Sequence, residues 1–195
     1  MQKIFLDFDN TLVESNKRII EILNKRYGLS KTESDLKDYY YTSIYNKVTK
    51  EEIENIFASD EFFEGLEFKP LAHELFNKYK DKYEIIITTK GNSYNLELKE
   101  AWIRNNLDKD VSFIGLTGNS HDKSSVNMDG GIQIDDNSNC LKTNASVKIL
   151  YRDNHGYPWQ KKYINKNILL VDSWEQIYEI LEFYSKYDNK TLNKK

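Results

Sequence analysis

The chain has 195 residues, 39% of them apolar and 13% aromatic, and a formal net charge of −3. This composition excludes a disordered chain and supplies a core for one domain of ordinary size, with room for an insertion. The balanced charge gives no footprint for nucleic acid, no apolar run reaches the ~18 residues of a membrane span, and one cysteine, Cys140, excludes an internal disulfide.

Residues 3–8 read as a buried strand, with Ile4, Phe5 and Leu6 at its centre, running into Asp7 and Asp9. From Ser15 to Gly65 the pattern turns helical. Ile19, Ile20, Leu23 and Tyr27 share one helical face, Gly28 is a stop, and Ile44, Val48, Ile53, Ile56 and Phe57 continue a helix-compatible pattern. Pro70 is expected to open a helix whose buried face is Leu71, Leu75, Phe76 and Tyr79. A second strand, 83–88, is rich in β-branched residues, and a helix with Leu96, Leu98, Trp102 and Ile103 follows. Residues 111–116 form a third strand, 117–130 a polar loop and 131–136 a short fourth strand that again ends in acids. Strands at 147–151 and 168–171 and a last helix facing the sheet with Trp174, Ile177, Leu181 and Tyr184 complete the domain, and 188–195 read as a flexible tail. Short apolar strands alternating with helices predict an α/β, Rossmann-like parallel sheet with helices on both faces and a small helical insertion after the first strand.

In such sheets ligands bind beyond the carboxyl ends of the strands. Three strands here end in polar chemistry at that edge: Asp7 and Asp9, Thr88 and Thr89, and Asp135 and Asp136, with Lys123 in the loop before the last pair. Asp7 and Asp9 stand two apart, the spacing that points both the same way on a strand, although Asp and Asn also simply cap turns. Four carboxylates at one edge call for a cation, and oxygen ligation without His or Cys selects a hard ion, Mg²⁺. A metal beside a nucleophilic Asp, a Thr hydroxyl and a Lys ammonium makes a receptor for a phosphoryl group.

Asp7-Phe8-Asp9-Asn10-Thr11 resembles the DxDxT motif of the haloacid dehalogenase superfamily; Ile85-Ile86-Ile87-Thr88, Lys123 and Ile134-Asp135-Asp136 are similar to its three later motifs, in the required order. Within it, Phe62-Phe63, the Pro70–Leu75 run, Tyr83–Thr88, Lys99-Glu100-Ala101-Trp102-Ile103, Asp122-Lys123-Ser124 and the stretch Ile149 to His155 resemble the 5′(3′)-deoxyribonucleotidase group. The chain departs from that group in Asp9-Asn10-Thr11, where the group has Asp-Gly-Val, and in a longer loop between Lys123 and Asp135.

The resemblance implies a core of 1–14 and 66–187 with a helical cap at 15–65. Asp7 would be the nucleophile and Asp9 the proton carrier. The metal would lie on Asp7, the Asp9 carbonyl, Asp135 and Asp136, and the phosphoryl group on Lys123 and on Thr88 or Thr89. Phe62 and Phe63 would either line a base slot or seat the cap on the core. The implied activity is Mg²⁺-dependent hydrolysis of a small phosphomonoester, a (deoxy)nucleoside monophosphate. The alternatives are another phosphorylated metabolite, a nucleic-acid end (against which the charge balance argues), or a non-catalytic metal- and phosphate-binding protein. His121 stands close to Lys123 in sequence, Trp159 is in a loop, and Lys161, Lys162 and Lys166 form a solvated basic cluster. The first apolar segment is short, ends in acids and lacks a secretory pattern, so a cytoplasmic setting with no membrane partner is expected.

Overall fold

The computed structural model describes the chain apart from residues 39, 119–121, 154–156, 158–159, 161–166 and 193–195, and the side chains of 187–192. His121, Trp159, Lys161, Lys162 and Lys166 lie outside the described residues.

Among the described residues six parallel strands form one sheet: β1 (Lys3–Leu6), β2 (Glu84–Lys90), β3 (Ser112–Leu116), β4 (Ile132–Asp135), β5 (Val147–Tyr151) and β6 (Ile168–Val171), in the order β3-β2-β1-β4-β5-β6. The order reverses at β1, which pairs with β2 on one side and β4 on the other, Leu6 standing opposite both Ile87 and Ile134. Apolar β-branched residues dominate these central strands because parallel strands have no solvated face.

Ile4, Leu6, Ile85, Ile87, Ile132 and Ile134 point to one face, where they join one cluster with α4 (Ala72–Tyr79), α5 (Ser93–Asn106) and α6 (Trp174–Leu192). Trp102 and Trp174 are both buried there, as their helical spacing predicts. Phe5 and Ile86 point to the other face, and Met128 and Ala145, with the partly buried Ile114 and Val126, cover them. Those residues sit mainly in the β3–β4 and β4–β5 connections, which hold no helix among the described residues, so loops here do the covering expected of helices. The last helix reaches Leu192, past the point at which a tail was expected.

Between β1 and α4 lies a helical insertion of α1 (Ser15–Tyr27), α2 (Lys50–Phe57) and α3 (Asp60–Glu64), with 3-10 turns at Glu33–Asp35 and Tyr41–Ser43. Gly28 ends α1 at φ 63°, its N–H returning to the Asn24 carbonyl. Thr49 and Ser59 cap α2 and α3 through their side chains. The two connecting segments pair with each other: Val13 bridges Phe68 antiparallel, Glu14 N donates to Glu67 O at 2.9 Å, and Lys69 N donates to Leu12 O at 2.9 Å.

Pro70 does not open a helix. Ala72 N donates to Lys69 O at 3.0 Å and Leu71 has φ 65° and ψ −5°, so Lys69–Ala72 is a type II turn with Pro at its second position. Leu71 is therefore 39% exposed instead of facing the core. A non-glycine residue in the left-handed region costs about 1–2 kcal/mol. Leu71→Gly is expected to raise stability by about 1 kcal/mol, the relief of that strain less the flexibility that glycine adds to the unfolded chain. Urea unfolding of the variant beside wild type measures it, and an unchanged or lower midpoint would show that the turn holds no strain.

Candidate active site

The backbone leaves β1 at Leu6, and Asp7 N still donates to Ile134 O at 3.0 Å, which keeps Asp7 beside the end of β4. The chain then turns at Asn10, with φ 55°, a conformation that Asn tolerates. Thr88 follows Ile87, the partner of Leu6, and so stands level with Asp7; Asp135 follows Ile134 in the same way. Parallel pairing in register thus delivers three polar strand ends to one place.

Lys123 joins them. Its side chain is 2% exposed, and Nζ lies 2.6 Å from Asp7 Oδ1, 2.6 Å from the Thr88 carbonyl and 2.7 Å from Asp135 Oδ2. Asp135 Oδ1 accepts from Asn137 N at 2.9 Å, while its buried Oδ2 receives no hydrogen bond, only the charge contact from Lys123.

Asp9 has a different setting. Its Oδ1 accepts from Ser15 Oγ at 2.7 Å, and its Oδ2 is paired with the Lys99 ammonium, which also donates to Thr89 Oγ1 at 3.1 Å and to the Lys90 carbonyl at 2.8 Å. Lys99 is 1% exposed. In the sequence Lys99 carries no role beyond its place in Lys99-Glu100-Ala101-Trp102-Ile103. The available signal was its place on the apolar stripe of α5, three residues after Leu96 and four before Ile103.

Carboxylate oxygens of Asp7, Asp135 and Asp136 lie within 4.8 Å of one another. One ammonium faces three acids, so negative charge is in excess. Burial, offset by Lys123 and reinforced by Asp135 and Asp9, pushes Asp7 up to about 7. Burial, with Asp7 and Asp135 beside it, also holds Asp136 well above the usual carboxylate range. Burial pulls Lys123 down, but Asp135 and Asp7 outweigh it and keep the ammonium charged. The donor set fits a hard divalent cation: oxygen ligands, excess negative charge, and an Asp135 oxygen with no hydrogen bond.

Of the two threonines, Thr89 offers Oγ1 to Lys99, whereas Thr88 Oγ1 makes only a 3.4 Å contact with the Ile86 carbonyl. Phe62 and Phe63 lie in the insertion, next to Phe57. Phe62 is fully buried between Phe57 at 5.2 Å and Phe63 at 5.0 Å in the core of the insertion, and Phe63 is half-buried. A further buried lysine, Lys69, pairs with both Glu14 and Asp153 where the two connecting segments meet β5.

The sequence model of one family, described as 5′ nucleotidase, deoxy (Pyrimidine), cytosolic type C protein, matches residues 1–187. Among solved structures, a haloacid dehalogenase-like family hydrolase from Streptococcus pneumoniae has a similar fold, with a TM-score of 0.64 at 16% identity over 92% of this chain and 98% of that one. The HAD-hydrolase YfnB from Bacillus subtilis, bound to magnesium, gives a TM-score of 0.55 at 13% identity over 92% and 98%. CbbY from Rhodobacter sphaeroides, in complex with phosphate, gives 0.54 at 14% identity over 89% and 94%. At these identities the likeness is one of fold. No curated protein sequence matches the chain.

The raised Asp7 has a consequence for stability. Its folded value of about 7 lies above the ordinary 3.8, so folding favours the protonated acid. Below pH 4 this costs nothing; the cost grows as pH rises toward 7 and is constant above it. In metal-free protein, Asp7→Asn should therefore match wild type near pH 4 and exceed it at pH 8, by roughly 2–4 kcal/mol. Thermal and urea unfolding at both pH values measure the gap, and a gap that shrinks with rising pH would contradict the assignment.

Proposed function

The chain belongs to the family of 5′ nucleotidase, deoxy (Pyrimidine), cytosolic type C proteins, phosphatases of haloacid dehalogenase fold, and from that premise we propose that it is a Mg²⁺-dependent hydrolase of (deoxy)nucleoside monophosphates. One observation carries the mechanism: two acids two residues apart sit at the same sheet edge with different ammonium partners, Lys123 for Asp7 and Lys99 for Asp9. Different environments suit different roles.

Asp7 Oδ2 attacks phosphorus while Lys123 fixes the opposite oxygen, and the P–O bond to the leaving group breaks as an aspartyl-phosphate forms. Asp9 protonates the departing alkoxide. In the second half it takes a proton from water, whose oxygen attacks the phosphorus and returns Asp7 as carboxylate. Thr88 is the phosphate-binding threonine in this reading, because its hydroxyl is the less engaged of the two. Asp7, Asp135 and Asp136, with the Asp9 carbonyl, would hold Mg²⁺, which supplies positive charge to the phosphoryl oxygens and keeps Asp7 ionised at neutral pH. Residues 15–65 act as a cap over this centre on a core of 1–14 and 66–187, and shield it from bulk solvent while the hydrolytic water is admitted. Among the described residues no helix is long and apolar enough to cross a membrane, in keeping with a small dissolved substrate.

Phosphate release from a panel of nucleoside monophosphates and other phosphomonoesters, with Mg²⁺ and with a chelator, tests this reading. Release that requires Mg²⁺ and is greatest on nucleotides is expected, and Asp7→Asn should lower it by at least ~10³-fold, as loss of a nucleophile does. Turnover of sugar phosphates alone would overturn the substrate assignment. An active Asp7→Asn would overturn the mechanism.

A further inference from the structure

Asn95 is the third residue of α5, and its backbone N–H is already bonded to the side chain of Asn92, the helix cap, at 2.8 Å. A polar side chain at this position ordinarily reaches back to the cap residue's own N–H. Asn95 does not. It is 4% exposed, and Nδ2 donates to the carbonyl of Phe57, the last residue of α2, at 2.6 Å. A carbonyl only accepts, so the amide must present its nitrogen there. The amide is also confined from behind: a Cβ on Gly91 would lie 2.3 Å from Asn95 Oδ1, so glycine leaves the space that this orientation needs.

The two ends of this bond belong to different bodies. Phe57 is part of the insertion's aromatic core, 5.2 Å from Phe62 and 6.4 Å from Tyr41. Tyr41 donates to Asn16 Oδ1 at 2.6 Å, and Asn16 N donates to Asn10 Oδ1 at 2.7 Å, in the turn directly after Asp9. Asn95 lies one helical turn before Lys99, the partner of Asp9. A single face of α5 thus holds the insertion with one residue and Asp9 with the next. On the opposite flank, Tyr157 accepts from Asn16 Nδ2 and donates to Glu33 Oε1, both at 3.1 Å.

We propose that Asn95 is a positioning residue that docks the helical insertion onto the core, acting on the active centre through the Phe57 carbonyl. The proposal rests on the reading of residues 15–65 as a cap. It assigns closure to a defined bond on α5, so that the same helix sets both the cap's position and the orientation of Asp9.

Hydrogen–deuterium exchange of the full chain tests it, with Asn95→Ala and Asn95→Leu beside wild type. Loss of one hydrogen bond is expected to accelerate exchange across 15–65 roughly 5–10-fold while β1, β2 and β4 keep their wild-type rates. For the phosphomonoester turned over best, kcat/KM should fall by a similar factor, mainly through KM, because the binding-competent closed state is less populated. Unchanged exchange in 15–65 in both variants would overturn the proposal, whatever the activity does. Equal acceleration in β1, β2 and β4 would also overturn it, since the residue would then be supporting the fold in general. A wild type that turns over no phosphomonoester would remove the phosphatase reading alone, because exchange still decides the role of Asn95.

Discussion

The Lys123 ammonium is the interaction on which the active edge depends. It donates to a side chain after β1 and to a carbonyl in β2 and stands in charge contact with a side chain at the end of β4, and so spans three neighbouring strand ends. Taking a cation out of water costs several kcal/mol unless it is paired. Here the pairing ties together the place where parallel strands stop bonding to one another. Because the acids outnumber the lysine, the pairing is incomplete, and the remaining negative charge suits the centre to a further cation.

The same device recurs along the chain that leaves β1. Asp7, Asp9 and Glu14 come in succession, and each meets a buried lysine from downstream: Lys123 from the β3–β4 loop, Lys99 from α5 and Lys69 from the returning connection. All three lysines are at most 2% exposed. The segment that passes from the sheet into the insertion buries Phe8, Leu12 and Val13 in the core, and charge fixes it at three further points. Removing one partner from such a pair leaves a buried charge uncompensated, which is far costlier than losing a surface ion pair.

The strands were legible in the sequence because each is a short apolar run, and β5 and β6 fall where the pattern puts them. The convergence of Asp7, Thr88, Lys123 and Asp135 was legible too, since parallel register and motif order suffice to bring strand ends together. Lys99 was not, because its burial depends on an acid 90 positions away in sequence, and local patterning shows only a polar residue on an apolar face. Leu71 misled for the opposite reason. Pro followed by Leu looks like a helix start, but the backbone bond from Ala72 to Lys69 imposes a turn, and Lys69 is itself held by Glu14 and Asp153. The loop cover over Phe5 and Ile86 was also hidden, because polar connections such as 117–130 carry their few apolar residues without periodicity.

Ser15 links the two halves of the proposed chemistry. It is the first residue of α1 and fully buried, and its hydroxyl donates to the Asp9 oxygen that Lys99 does not hold. The start of the insertion and the carboxylate of the proposed proton carrier therefore cannot move independently. If α1 swings, Asp9 either follows it or loses one of the two donors that orient it. Among the described residues Asp7 has no such tie to the insertion; its partner Lys123 comes from the β3–β4 loop. In the proposed mechanism, a nucleophile held by Lys123 beside a proton carrier shared between Lys99 and the start of the insertion would keep bond-making geometry constant while proton transfer responds to the insertion's position.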